Sequence, residues 1–342
     1  MMFNISKKLT TLCLTAMLVL SAHAKIIEDV KGNRVEVPDE VTRIADLWHA
    51  NNQIVLLLGG ANKLVATTTN IQTSAWFNEV YPNIKNVPAL TNGQTIQMEE
   101  LLKQNPQVVL LSNPTMYEEV TRAGLAAVNA SFQDFDGLKR TVKLTAEVIG
   151  DNAPQIANAY LAELDGNIQF VAERIKNVEE SQKPNVMHIT SSANILKIDG
   201  GKSMIGDWIV KTGGRNAFPD TANMIEVNME DILAANPDVI IIGSQNAQKG
   251  IEQIKKDPTW QSISAVKSGR IYANPLGTFP WDRYSAEEAL QILWASQLFH
   301  PELFKDVNMV EKTQQFYKKY YNYMLSEENA KRILQGLDPA EK

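Results

Sequence analysis

Arg283 has the clearest capacity for directed chemistry in this chain: it stands between Trp281-Asp282 and Tyr284. Its planar fork can grip a carboxylate, a hydroxamate oxygen or an oxyanion with two parallel bonds, and neighbouring aromatics offer flat apolar walls. The competing reading is a structural ion pair with the adjacent Asp282. Similar polar and aromatic clusters follow other expected strands. Trp48, His49 and Asn51 come after residues 43–47, and Thr68, Thr69 and Asn70 come after residues 64–66, with Trp76 nearby. Ser112, Asn113 and Tyr117 come after 108–111, and Ser191, Ser192, Lys202, Ser244 and Gln245 belong to the second half. Such loops at strand carboxyl ends are where open α/β sheets bind ligands.

The types of residue present argue for binding rather than turnover. Gly200-Gly201-Lys202-Ser203 ends like a phosphate-binding loop, but Leu196 occupies the position that needs the first glycine. There is no G-x-S-x-G and no H-E-x-x-H. Glu287 and Glu288 are adjacent on an expected helix, so their side chains diverge. His49 could contact a ligand or be ordinary polar surface, whereas His188 lies inside an expected strand and reads as a satisfied core group. His300, before Pro301, suits the end of a helix. These histidines are too widely spaced for a metal pair, so no metal site, cofactor or enzymatic activity is expected. Positive charge near the candidate loops is sparse, essentially Arg283 and Lys202, which favours a neutral or weakly charged ligand over a highly anionic one.

A segment that occurs twice shows which elements position these loops. Residues 98–112 read MEELLKQNPQVVLLS and residues 229–244 read MEDILAANPDVIIIGS. In each, an acidic pair opens a short helix where its charge suits the dipole. Asn-Pro closes the helix, and an aliphatic run follows without polar alternation, as in a buried parallel strand. Two such matched units predict two lobes of one design. Thr212-Gly213-Gly214 likewise echoes Leu58-Gly59-Gly60 as a helix end.

Between the lobes, Ile156, Tyr160, Leu164, Ile168, Val171, Ile175 and Val178 recur at three- and four-residue spacing. They predict one helix from Asn152 to about Glu180, roughly 40 Å long, with Gly166 as its weak point. The expected fold is therefore α/β: two doubly wound, Rossmann-like lobes joined by one long helix, with the ligand cleft between them. The divisions are residues 25–150 for the first lobe, 151–181 for the helix and 182–342 for the second lobe. An N-terminal hairpin is expected around Lys31-Gly32-Asn33.

The first residues indicate a compartment. Lys7 and Lys8 precede an apolar stretch ending at Leu20, followed by Ser21-Ala22-His23-Ala24. This reads as a secretory signal peptide, residues 1–24, cleaved after Ala24. The stretch is too short to span a bilayer stably. Cys13, the one cysteine, lies inside it, and Lys25 stands where a lipoprotein needs its cysteine. A soluble, unanchored periplasmic protein without direct membrane insertion is expected. Loss of Lys7 and Lys8 takes the formal charge from −6 to −8, a poor balance for binding nucleic acid.

Taken together, the hairpin ending Val35-Glu36-Val37-Pro38, the two Asn-Pro units, the single long helix and the Gly277–Tyr284 segment resemble a known family. It is the family of periplasmic substrate-binding proteins of ABC importers for iron–siderophore complexes, vitamin B12, haem and related metal chelates. The resemblance implies a monomer that captures a metal-containing ligand in the cleft and delivers it to an inner-membrane ABC permease dimer. It assigns Glu99 and Glu230, one per lobe, to docking on the permease; the alternative is that they only serve their helix dipoles. Within that cleft, the strand-end loops put expected ligand contact at Trp48, His49, Asn51, Thr69, Tyr117, Ser192, Lys202, Trp281, Arg283 and Tyr284. An iron–siderophore or related chelate is the expected cargo. The oxyanions molybdate and tungstate stay open as an alternative, as does, more remotely, an exported hydrolase.

Overall fold

The computed structural model describes residues 24–243 and 246–341. The expected signal peptide therefore lies outside the described residues except for Ala24, as do Ser244 and Gln245. Strands β1 (Ala24–Glu28) and β2 (Arg34–Pro38) pair antiparallel as the expected hairpin. Asp29 stitches its turn by accepting from the Lys31 and Asn33 amides. It also accepts from the amide of Asn129, which ties the hairpin to the first sheet.

Five parallel strands form that sheet: β3 (Ile44–Asp46), β4 (Leu64–Thr68), β5 (Ala89–Thr91), β6 (Val108–Leu111) and β7 (Ala127–Asn129), in the order β5-β4-β3-β6-β7. The second sheet contains β8 (Asn185–Ser191), β9 (Asn194–Asp199), β10 (Arg215–Asn216), β11 (Ile225–Glu226), β12 (Val239–Ile242) and β13 (Ile271–Ala273). Its order is β11-β9-β8-β12-β13, with β10 also pairing β8. This sheet is mixed: β8 and β9 form an antiparallel hairpin, and β11 runs antiparallel to β9. The central pairs β8–β12 and β12–β13 are parallel.

The repeated segment folds alike in both places. Helices Met98–Lys103 and Met229–Ala235 lead into β6 and β12, and every residue of those two strands is buried. Asn105 and Asn236 both take positive φ, 45° and 37°, the left-handed turn that ends a helix and that asparagine tolerates better than most residues. Gly59 and Gly213 do the same after helices His49–Leu57 and Met204–Lys211, at φ 77° and 83°.

The long helix runs Ala153–Ile175, 23 residues, or about 35 Å. It stops short of Val178 because the chain turns there into a short 3₁₀ segment at Glu180–Gln182. Tyr160, Leu164 and Val171 form its buried stripe. It is bonded along its length: the Tyr160 hydroxyl donates to the Ala286 carbonyl at 2.8 Å, the Asn167 amide to the Ala289 carbonyl at 2.8 Å, and Arg174 pairs with Asp306. Lys139 of the preceding helix Phe135–Ile149 pairs with Asp165. One apolar cluster runs from Ile44, Ile54 and Leu138, through Tyr160 and Leu164, to Leu290, Phe316 and Tyr317. The two halves thus share a continuous core, while the outer faces of the two sheets carry separate clusters.

Candidate functional site

A cleft of about 590 Å³ opens where the carboxyl ends of strands from both sheets converge. From the first half it is lined by His49 after β3 and by Asn70, Thr73 and Ser74 after β4. From the second half it is lined by Ser191 and Ser192 at the end of β8, Asn246 and Lys249 after β12, and Thr278, Phe279 and Pro280 after β13. Parallel strands deliver these loops to one edge, which is why residues more than two hundred positions apart meet. The lining is rich in hydroxyls and amides. Lys249 is its one cation among the described residues.

His49 opens its helix and sits against Phe279, with ring centroids 5.5 Å apart. Burial pushes its imidazole below the ordinary histidine range, so it is neutral at pH 7 and keeps one ring nitrogen as an acceptor. One turn further along, Gln53 joins the two halves at the cleft floor. Its amide donates to the Thr278 hydroxyl and the Tyr321 hydroxyl, each at 3.1 Å, and its carbonyl accepts from the Ala286 N–H at 2.7 Å and from Ser285. Behind Thr278, the buried Glu287 accepts from Thr278 at 2.7 Å, Tyr321 at 2.9 Å and the Trp281 indole at 2.6 Å. Burial raises its pKa despite these donors.

Of the candidate residues read from sequence, the structure brings His49 and Ser192 to this cleft, with Asn70, Ser191 and Phe279 beside them. The others lie elsewhere, each for a visible reason. Arg283 is buried in a charge cluster, 2.7 Å from Asp199 and 3.4 Å from Asp282. His188 lies between the same carboxylates, 2.9 Å from each. The ion pair with Asp282 thus forms, reinforced by an aspartate 84 residues distant that no local pattern announces. Trp281 is fully buried, turned inward by its bond to Glu287. Asn51 is also buried, donating to Asp46 and accepting from Thr145.

Trp48 packs edge-on against Phe132 at 5.2 Å and faces Tyr284 at 6.0 Å, so these aromatics form a contact between the halves. Tyr284 adopts φ 52°, and its hydroxyl accepts from Asn223 at 3.2 Å. Thr69 starts a short helix and donates to the Thr91 carbonyl, leaving Asn70 to face the cleft. Tyr117 packs on the outer cluster of the first sheet, and Lys202 is exposed in a turn bridged to Ala222. Thr73, Ser74, Asn246, Lys249 and Thr278 were not singled out by sequence reasoning. Lys249 carried one usable signal: it falls in the first turn of the helix Ala247–Lys256 that follows a buried strand.

Glu99 and Glu230 are exposed, and neither has an ion pair or hydrogen bond among the described residues. Their neighbours are occupied: Glu100 pairs with Lys103 at 2.6 Å, and Asp231 accepts from the Asn228 amide in a capping box.

Two lobes of this topology, a stiff connecting helix and a cleft at the strand ends define a ligand-capturing protein. Residues 44–275 match the family described as periplasmic binding protein. The chain belongs to that family and is a binding protein of the ABC transporter type. The molybdate-binding protein MolA of Haemophilus influenzae is 25% identical, over 95% of this chain and 99% of its own length. A crystal structure of a periplasmic solute binding protein from Veillonella parvula matches with TM-score 0.79 and 25% identity, over 91% of this chain and 97% of that one. Molybdate-bound MolA shares the fold with TM-score 0.78 at 21% identity, over 88% of this chain and 99% of that one. These relatives are binding proteins rather than enzymes. Among the described residues, no helix is long and apolar enough to cross a membrane, and no group of three or more acidic, histidine or cysteine side chains could hold a metal ion.

Proposed function

We propose that this chain captures a weakly anionic, oxygen-rich metal complex in the His49–Lys249 cleft and presents it to an inner-membrane ABC permease dimer. The observation that carries this reading is the lining itself. One lysine, a neutral imidazole, several hydroxyls and amides, and the Phe279 face suit a ligand presenting oxygen atoms and little net charge. With Arg283 neutralised by Asp199 and Asp282, Lys249 supplies the cleft's positive charge. A volume of about 590 Å³ falls in the range of roughly 300–1,000 Å³ that surrounds ligands of chelate size. An iron–siderophore or related metal chelate is thus the primary cargo. Molybdate or tungstate is the second reading, favoured by the similarity to MolA along 95% of this chain.

Residues 1–24 direct export and are removed, leaving a soluble, unlipidated periplasmic monomer that performs no catalysis. The lobes then correspond to residues 25–150 and 182–342 around the helix. Glu99 and Glu230, free while their neighbours are engaged, dock on basic pockets of the two permease subunits. Reversing both charges should abolish uptake and leave ligand affinity unchanged.

Calorimetric titration of the purified chain with a ferric hydroxamate, ferric citrate, molybdate and tungstate tests the cargo. Binding to one of them, weakened about tenfold to a hundredfold in Lys249→Gln, is expected from the loss of a charge-assisted bond. Binding that is indifferent to Lys249, or absent for all four, would overturn the reading.

A further inference from the structure

The repeated helices present a second matched feature beside their free acids. Leu102 and Leu233 occupy equivalent positions of the two units, three residues after Glu99 and Glu230. Both are exposed, at 47% and 40%, whereas the residues just before them, Leu101 and Ile232, are fully buried. Residues three apart on a helix share a face, so each half shows an acid and an apolar group side by side. We propose that Leu102 and Leu233 are the apolar anchors of the docking face, each seating in a hollow beside the basic pocket of one permease subunit. This rests on the docking role of Glu99 and Glu230 given above.

Topology places the two patches on the cleft side of the molecule. β5 and β6 run parallel, so the helix between them must carry the chain back, and its first turn lies at the strands' carboxyl ends. β11 and β12 are related in the same way through β9 and β8, so Glu230 also lies at that edge. A partner made of two equivalent subunits offers the same surface twice, and only features present in both halves can match it twice. Most other exposed apolar groups lack this property. Val210 is 62% exposed, yet its counterpart in the glycine-ended helix pair, Leu56, is buried; Met324, at 75%, lies outside both repeats. The acids supply steering, which salt weakens, and the leucines supply contact area, which salt does not screen.

Binding of the fluorescently labelled chain to right-side-out membrane vesicles of the source bacterium tests the assignment. The wild type should bind saturably. Leu102→Ser with Leu233→Ser should weaken binding by at least about tenfold, since each leucine removes a substantial apolar contact. The slope of its log affinity against log salt should stay as in the wild type, since the acids are untouched. Val210→Ser with Met324→Ser should bind as the wild type does, and ligand affinity and unfolding midpoint should stay unchanged throughout. If the leucine variant binds normally while Glu99→Lys with Glu230→Lys does not bind, the anchors are refuted and the docking reading stands. If the charge reversal also has no effect, or the wild type shows no saturable binding, both fall.

Discussion

Arg283→Met tests the reassignment of this residue from ligand contact to internal support. In the wild type, Arg283 and a protonated His188 balance Asp199 and Asp282, all four being buried. Burial opposes the charge on Asp199, but His188 and Arg283 together hold its pKa far below the usual carboxylate range. The substitution keeps most of the side-chain volume but leaves two buried carboxylates facing one imidazolium. Removing one partner from a buried ion pair typically costs about 3–5 kcal/mol, and the remaining Asp–His contacts at 2.9 Å place this case toward the lower end. At about 2–4 °C per kcal/mol for a large domain, Tm should fall by roughly 6–15 °C. Differential scanning calorimetry, run beside ligand titration, measures both quantities. Unchanged stability with ligand affinity lost by a hundredfold would show that Arg283 does face the cargo and that the charge cluster has been misread.

Three further outcomes follow from the structure. Burial opposes protonation of His188, but its bonds to Asp199 and Asp282 outweigh that and raise its pKa. Its contribution to stability is complete below about pH 6.5, the unfolded value, and is lost as pH rises through the folded value. Asp199 and Asp282 are lowered, so their contribution is complete above about pH 4 and fades as pH falls through their folded values. Denaturant midpoints measured across pH should show both limbs, and His188→Gln should erase the alkaline one. Gln53→Ala strips the Ala286 N–H of its partner and opens a small void between the halves. A loss of about 2–4 kcal/mol is expected, and an effect under about 1 kcal/mol would refute the interlocking role. Small-angle scattering with and without ligand should show little compaction, since one core spans both halves; a large change in radius of gyration would contradict it.

Much of this architecture was readable from sequence because it rests on local chemistry repeated. The Asn-Pro units, their aliphatic strands and the glycine-ended helices each carry their own punctuation, and each folds as that punctuation dictates. The long helix was legible from its stripe but not at its end, since Val178 keeps the spacing while the backbone leaves the helix. The strand ends that deliver the cleft loops were also visible. Which side chain in each loop faces the cleft was not, because that depends on partners distant in the chain. Trp281 and Arg283 looked available until Glu287 and Asp199 were seen to claim them. Asn51 was occupied by Asp46 and Thr145 in the same way.

The bridge made by Gln53 bears on how cargo changes hands. A jaw whose two sides are pinned at the base and filled by the same apolar packing has nearly its final shape before anything enters. Little ordering is left for the guest to impose, so capture is inexpensive in entropy. For the same reason, emptiness and fullness look alike from outside. On the proposed docking, a transporter resting on this protein would sense the guest at the rim of the jaw, and letting go would require prising from without.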